Sequence, residues 1–221
     1  GSAVTGPLWT TARLQRVMML RFGFNRRGGV NTQAAAAEMG VSARTVQRWL
    51  HGAPRSLAHI PPARREQLLA MLVPSTWTLR REQQTADQAV GAIEQVRAHD
   101  PLVSQEWTAQ RWLEPHRVVI LDIPIRHLHI RQVAFCLDEP RRVAALHRRG
   151  RVVQQVTVPS RFHATVIVHR ILDQVGPWRY TATRSQVKRG YTWTWLADRT
   201  TPTVSLAAAG ADLGPLPALD S

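Results

Sequence analysis

The stretch TQAAAAEMGVSARTVQRWLHG, residues 32–52, decides how the first part of this chain folds. Apolar side chains recur at helical spacing on both sides of Gly40, so the pattern predicts two short helices joined by a tight turn. Thr32 and Ser42 stand where side chains cap the first turn of each helix, and Gly52 stands where the second helix ends.

Small and apolar residues at fixed positions would lock these two helices together. Ala36 is small enough for the crossing point, and Gly40, four positions later, tolerates the positive φ that a tight turn requires. The predicted packing positions are Ala35, Met39, Val41, Val46 and Trp49. The alanines therefore form a close-packing face rather than a low-complexity run.

The second predicted helix, residues 42–51, carries side chains that suit DNA. Arginine can pair with guanine and glutamine with adenine through two hydrogen bonds, whereas hydroxyl groups and helix N-termini hold phosphates. Arg26 and Arg27 precede the helices and could grip the flanking backbone or reach a minor groove. The predicted DNA-contacting residues of this region are Arg26, Arg27, Thr32, Gln33, Ser42, Ala43, Arg44, Thr45, Gln47 and Arg48.

The segment GVSARTVQRWLHG, residues 40–52, resembles the helix-turn-helix of many bacterial and phage regulators. It is also similar to the matching segment of telomere terminal proteins of Streptomyces linear replicons. The resemblance implies a DNA-binding domain of three or four helices in an actinobacterial, phage or mobile-element protein, and it does not choose between transcription and replication. The alternative is a helical hairpin with the same packing, or a helix-turn-helix that contacts protein.

Arginine dominates the charge of the chain. The net charge is +14, from 29 basic and 15 acidic side chains, and Lys188 is the single lysine. Residues 1–73 carry +8, residues 74–116 carry −2 and residues 117–221 carry +8. Two basic regions beside a weakly acidic middle suit two surfaces that are attracted to a polyanion, and double-stranded DNA is the expected partner.

The apolar pattern predicts a soluble cytoplasmic protein, associated with the nucleoid and without a membrane partner. No window approaches 18 uninterrupted apolar residues, and the N-terminus has no apolar core of the signal-peptide type. The single cysteine, Cys136, excludes an intrachain disulfide, fits a reducing compartment and reads as a small buried apolar residue. No cofactor is expected.

The fold class predicted from the whole pattern is α+β, in four parts. Residues 3–73 form an all-α helix-turn-helix domain, because the leading Gly1 and Ser2 are typical of a cleaved tag, and residues 74–116 form a helical connector. Residues 117–199 form a small basic α+β domain with a mixed sheet, and residues 200–221 form a disordered tail. The predicted helices are 8–23, 32–40, 42–51, 60–72, 75–99, 138–150 begun by Asp138, and 160–176 opened by Ser160. The predicted strands are 117–124, 129–137, 151–158 and a hairpin of 178–183 with 191–197.

The connector helix, residues 75–99, is amphipathic. Its apolar stripe is Leu79, Ala86, Val90, Ile93 and Val96. This stripe could be the coiled-coil seam of a homodimer, or it could pack within its own chain. A homodimer through the C-terminal domain is a further alternative.

A second basic cluster lies in the predicted α+β domain. The residues with predicted phosphate contacts are Arg141, Arg148, Arg149 and Arg151. Arg142, Lys188 and Arg189 add to the same basic clusters. On a helix the first three predicted contacts could share a face and Arg151 follows directly, so the pattern predicts a second phosphate-binding surface. The alternative is a solvated helix face.

Two short motifs point to chemistry. His127 and His129 resemble the metal-binding signature of rolling-circle nickases and relaxases, which also need a tyrosine nucleophile, and this chain offers only Tyr180 and Tyr191. FHATVIV, residues 162–168, resembles half of the paired motif of two-histidine phosphoesterases, and the other half is missing. The alternatives are exposed polar residues on a strand, and a capping or surface role for His163.

These observations together predict a sequence-specific double-stranded DNA-binding protein without catalytic activity, acting as a transcriptional repressor of phage or mobile-element type. The alternative is a replication or DNA-end maintenance protein, with metal-dependent nicking by His127 and His129. A third hypothesis is a module that binds only protein.

Overall fold

The computed structural model describes residues 6–98 and 101–216 and has the α+β class that the sequence predicts. The helices are α1 (Thr11–Phe22), α2 (Thr32–Met39), α3 (Ala43–Leu50), α4 (Pro62–Leu72), α5 (Thr76–Arg97), α6 (Pro101–Ala109), α7 (Pro140–His147), α8 (Arg161–Gln174) and α9 (Leu206–Gly210). The strands are β1 (His116–Ile125), β2 (Leu128–Leu137), β3 (Arg151–Val158) and β4 (Thr194–Trp195).

The four strands form one antiparallel sheet in the order β3-β1-β2-β4. The prediction of a mixed sheet is wrong. Arg126 and His127 make the tight turn from β1 to β2, and such a short connection can join only antiparallel strands. After α7 the chain returns on the other side of β1, where β3 also runs antiparallel.

Both faces of the sheet are covered, which explains the long apolar run in β1. Val119 and Leu121 belong to the core that includes α1–α4, and Leu146 of α7 joins it. Val118 and Ile120 face a second core against α8. Because successive strand residues point to opposite faces, a strand covered on both sides reads as continuously apolar.

The helical region α1–α4 joins the rest of the chain through polar contacts as well as the shared core. Arg13 and Asp198 form an ion pair of 2.6 Å in which the two side chains are 5% and 14% exposed. The Thr181 amide donates to the Leu72 carbonyl at 2.6 Å. The Gln186 side chain donates to the Leu20 carbonyl at 2.8 Å, so the segment after α8 ties the two regions together.

The helix α5 packs within its own chain. Its buried residues are Ala86, Ala89, Ala92, Ile93 and Val96, and Ala89 and Ile93 join the core around α8. Leu79 and Val90, from the predicted stripe, are 43% and 38% exposed. The stripe is therefore divided between an intrachain contact and solvent.

The predicted hairpin-like pair of residues 178–183 with 191–197 forms in part, since Arg179 and Trp195 make an isolated antiparallel bridge. Only Thr194–Trp195 is a strand, and it pairs with β2. Three backbone hydrogen bonds join the two segments: the Tyr180 amide donates to Thr194, the Ala182 amide to Tyr191 and the Leu196 amide to Trp178. The Thr181 amide, between Tyr180 and Ala182, points away from the partner segment, as alternate residues of an antiparallel pair do, and donates to the end of α4.

The prediction of a disordered tail is wrong up to residue 216, while residues 217–221 lie outside the described residues. Ser205 caps α9, and Leu206, Ala209 and Leu213 are buried in the core beside α8. Their spacing is that of one helical face, so a short apolar stripe orders a segment whose composition suggests disorder.

The start of α8 is the predicted one, whereas the start of α7 differs by one residue. Ser160 caps α8 by accepting a hydrogen bond from the His163 amide, as predicted. The N-terminal flanking residue of α7 is Glu139 rather than Asp138, and its side chain makes no capping bond but pairs with Arg111 and Arg142. Within the described residues, no helix has both the length and the apolar character needed to cross a membrane.

Candidate nucleic-acid interface

The helices α2 and α3 are joined by a turn centred on Gly40. Gly40 has φ 70° and ψ 36°, which is the left-handed conformation predicted for it. Asn31, rather than Thr32, caps α2, since its side chain accepts a hydrogen bond from the Ala34 amide at 3.1 Å. Thr32 is the first residue of the helix, so the predicted cap is wrong by one position.

The start of α3 is held by a side-chain cap, as the sequence predicts. The Ser42 hydroxyl accepts a hydrogen bond from the Thr45 amide at 3.1 Å and lies 2.9 Å from the Thr45 hydroxyl. The helix α3 ends at Leu50, one residue before the predicted end, and after the extended cap residue His51 the chain has a positive φ of 140° at Gly52.

The polar side of α3 faces solvent. Val46 and Trp49 are 0% and 5% exposed and turn into the core. The exposed residues of α3 and its cap are Ser42, Arg44, Gln47 and Arg48, which we call the α3 face. Ala43 and Thr45, also predicted to contact DNA, are half-buried, and Gln33 on α2 is exposed. The helix has the amphipathic pattern of an element that packs on one side and is free on the other.

A short loop before α2 presents Arg26 and Arg27. The Asn25 side-chain oxygen accepts hydrogen bonds from the amides of Arg27 and Gly29, both at 2.9 Å. Backbone bonds between Asn25 and the two glycines close the same loop. Arg26 and Arg27 are exposed on this well-bonded turn.

The tip of the β1–β2 hairpin lies beside this loop, which sequence reasoning missed. The His127 ring contacts the Phe24 ring edge-on at 5.3 Å, and the Arg126 guanidinium lies 5.0 Å from the centre of that ring. An open cavity of about 640 Å³ lies between loop, helix and hairpin. Its lining includes Arg27, Thr32, Gln47, His51 and His127. The sequence predicted the two strands of the hairpin, but it did not predict that the hairpin tip contacts Phe24.

The predicted second basic surface is only partly formed. We call Arg141, Arg142, Arg148, Arg149 and Arg151 the α7 group. Arg142 lies 3.2 Å from Glu139, and Arg151 lies 3.4 Å from Asp122. Arg149 is half-buried and donates to Gln132 at 3.5 Å. Arg141 and Arg148 are exposed and have no ion-pair or hydrogen-bond partner among the described residues.

The β1–β2 hairpin lies between the cavity beside α3 and Arg151 of the α7 group. His127 lines the cavity beside α3, while Nδ1 of His129 lies 3.3 Å from a carboxylate oxygen of Asp122. That oxygen is also the partner of Arg151. The side chains of His127, His129 and Asp122 therefore lie between the cavity beside α3 and Arg151.

The residues proposed for chemistry do not assemble into a metal or nucleophile centre. The described residues contain no group of three or more His, Cys, Asp or Glu side chains placed to hold a metal ion. Tyr180 is 1% exposed, its hydroxyl donates to Gln186, and burial raises its pKa to about 12. The Tyr191 hydroxyl donates to the Lys188 carbonyl at 2.8 Å.

His163 is buried rather than on the surface. Its Nδ1 lies 2.7 Å from the Ser160 hydroxyl and its Nε2 lies 2.9 Å from the Gly214 carbonyl. Burial lowers the pKa of His163. These contacts make it a bridge between the start of α8 and the segment after α9.

No family model, no curated protein and no solved structure matches this chain.

Proposed function

We propose that this protein binds double-stranded DNA sequence-specifically, with α2 and α3 acting as a helix-turn-helix. In this proposal the region α1–α4 is the DNA-binding domain, α5 is a connector and the sheet region is a basic accessory domain. The observation that carries the proposal is the division of α3, which buries Val46 and Trp49 and leaves Arg44, Gln47 and Arg48 exposed.

The α3 face fits the major groove in chemistry and in shape. Its arginines and glutamine can make paired hydrogen bonds to guanine and adenine edges. Ser42 and the start of the helix offer donors for a phosphate at the groove wall. No carboxylate lies between Gly40 and Gly52, so nothing within this segment opposes a polyanion.

Two further elements support the same docking. Arg26 and Arg27 lie on the loop beside the cavity that Gln47 lines, where they can hold the flanking backbone. Arg126 and His127 extend this side of the molecule through the hairpin tip. The net charge of +14 adds long-range attraction to DNA.

The role that this binding serves is repression of transcription without catalysis, as in a phage or mobile element, on the DNA of the nucleoid. Nicking has no support from the site, since the Tyr180 hydroxyl is buried and hydrogen-bonded and the Tyr191 hydroxyl is hydrogen-bonded to a carbonyl. A homodimer on a symmetric operator would use a surface outside the α3 face, such as the exposed Leu79 and Val90 of α5.

The test is selection of bound duplexes from a random library by the full chain at about 0.15 M salt. A preferred motif of a few base pairs, with affinity that falls as salt rises, is expected. Two half-sites about one helical turn apart would show a dimer, and one asymmetric site would show a monomer. Absence of any salt-dependent affinity would overturn the proposal in favour of a protein-binding module, and metal-dependent cleavage would favour the nicking enzyme.

A further inference from the structure

A second concave site lies at the far end of β2, between α7 and the start of α8. It has a volume of about 380 Å³, which lies within the range of small-molecule pockets. The charged or polar side chains that line it are Gln110, Arg111, His116, Cys136, Arg142, Arg149, Arg161 and Arg189. No acidic residue is among the residues that line the cavity.

Three of these arginines have no carboxylate partner. Glu114 and Glu139 neutralise Arg111, and Glu139 also holds Arg142. Arg149, Arg161 and Arg189 make no ion pair within the described part of the chain. Burial lowers the pKa of Arg149, and the nearby positive charge of Arg189 lowers it further. The cavity therefore concentrates positive charge that the protein itself leaves unbalanced.

A buried histidine adds a polar atom to the cavity wall. His116 is 4% exposed, and its Nδ1 lies 2.7 Å from the Glu114 carbonyl. Because a carbonyl can only accept, Nδ1 carries the proton and the neutral ring keeps a lone pair on Nε2. Burial lowers the pKa of His116, which keeps the ring neutral at pH 7. Nε2 has no partner within the described residues, and His116 lines the cavity.

The remaining wall is apolar and aromatic. The Arg161 guanidinium lies 5.4 Å from the centre of the Trp112 ring and 5.6 Å from that of Phe135. Leu137 and Leu146 close the base of the cavity. Such a wall suits the organic part of a ligand whose charged end meets the arginines.

We propose that this cavity binds a small phosphate monoester. A monoester carries between one and two negative charges at pH 7 and three acceptor oxygens, which matches three guanidinium groups that have no carboxylate partner. His116 can accept a hydrogen bond from a protonated phosphate oxygen or from a hydroxyl of the ligand. The cavity shares no residue with the α3 face, but it shares Arg142 and Arg149 with the α7 group, so its test includes DNA as a competing ligand.

The single cysteine makes the cavity directly measurable. Cys136 lines it and is half-buried, and burial raises the pKa of its thiol. Labelling of Cys136 by a neutral maleimide therefore reports whether the cavity is occupied. Phenyl phosphate is the monoester to add, methyl phenyl phosphate is the matched diester, and a 20-base-pair duplex is the DNA arm, all at constant ionic strength.

Phenyl phosphate is expected to slow labelling of the folded full chain severalfold, and methyl phenyl phosphate is not. Arg189→Gln should weaken this protection about tenfold in concentration, since a charge-assisted hydrogen bond is removed. Arg184→Gln is the matched control, because Arg184 is exposed on the same segment and does not line the cavity. Arg189 is itself exposed, so its replacement should leave the melting temperature unchanged.

Three results would overturn the proposal. The first is that phenyl phosphate gives no protection of the wild-type chain. The second is equal protection of the Arg189→Gln and Arg184→Gln variants, which would show that the ligand acts elsewhere. The third is protection by the duplex alone, which would assign the cavity to the DNA-binding surface.

Discussion

The α3 face and the α7 group have similar basic sequences but different surroundings. On α3, Arg44 and Gln47 are exposed, and the side chains of that helix that turn inward are apolar. In the α7 group, Arg142 and Arg151 meet carboxylates of their own chain. A run of arginines in a sequence therefore gives an upper limit on the charge that a partner can meet, because folding can neutralise part of it.

The ion pair between Arg13 of α1 and Asp198, which follows β4, gives the largest expected effect. Asp198→Asn keeps the shape of the side chain and removes the charge beside Arg13, which is 5% exposed. Breaking such a pair costs about 3 to 5 kcal/mol of the free energy of unfolding, since a buried charge loses its partner. Urea unfolding measures this decrease. Asp212→Asn is the control, because its ion pair with Arg170 lies at the surface and its removal should leave the unfolding midpoint nearly unchanged.

The same pair predicts the acid limb of stability. Burial alone would raise the pKa of Asp198, but hydrogen bonds from Thr200 and the charge of Arg13 outweigh it and lower the pKa. A lowered pKa stabilises the fold above the unfolded-state value of about 3.9, and the contribution is lost as the pH falls through the folded-state value. Wild-type stability should thus drop below about pH 4 more steeply than that of Asp198→Asn. Parallel curves for the two proteins would contradict this assignment.

The next effect separates base reading from phosphate holding on the α3 face. Arg44→Ala should cost about 1 to 3 kcal/mol on the preferred duplex and flatten discrimination at one base pair. Binding is measured on the selected duplex and on single-base variants of it. Arg80→Ala removes the same charge from α5, which packs on α8 rather than on the helical region, and should leave discrimination intact. Equal weakening on all duplexes by Arg44→Ala would make Arg44 a phosphate contact.

A smaller effect tests the turn that sets the angle of α3. Gly40→Val places a β-branched residue at φ 70°, which costs about 1 to 2 kcal/mol through backbone strain. An added Cβ would meet no atom within 4 Å, so strain rather than collision is the cause. Gly40→Asn should recover most of this stability, because asparagine tolerates this conformation. Equal melting temperatures for the two variants would show that the conformation is not decisive.

Local patterns predicted most of the elements correctly. The bounds of β3 match the predicted 151–158, and the left-handed Gly40 is confirmed. The predicted cap of α2 was wrong by one position, because Asn31 and Thr32 are neighbours that can both cap a helix and Asn31 is the one that does. Both residues can accept the same bond, and only the path of the preceding loop decides between them.

Contacts distant in sequence could not be read from patterns. The approach of His127 to Phe24 depends on how the hairpin packs on the helical region, and no periodicity encodes it. The helix α9 also depends on distant contacts, because Leu206, Ala209 and Leu213 are stabilised by burial in the core beside α8. The pairing of Arg151 with Asp122 across the sheet also removed part of a predicted site.

The smallest expected effect is a change in the salt dependence of DNA affinity, which tests whether the α7 group contacts DNA. Arg141 and Arg148 are exposed and unpaired within the described residues, so they are the members free to meet phosphates. Replacing both by glutamine should make the slope of log affinity against log salt shallower by about 0.9 for each phosphate that the protein no longer neutralises. Glutamine keeps part of the aliphatic stem, which limits any decrease in packing.

The matched control for this last prediction replaces Arg142 and Arg151 by glutamine, which removes the same formal charge. Because Glu139 and Asp122 already hold these two side chains, the slope should stay near the wild-type value. A change of slope in the control alone would mean that DNA displaces the carboxylates, so that the paired arginines form the contact. Three identical slopes would confine DNA binding to the helical region and its hairpin, because a surface that meets no phosphate releases no counterions.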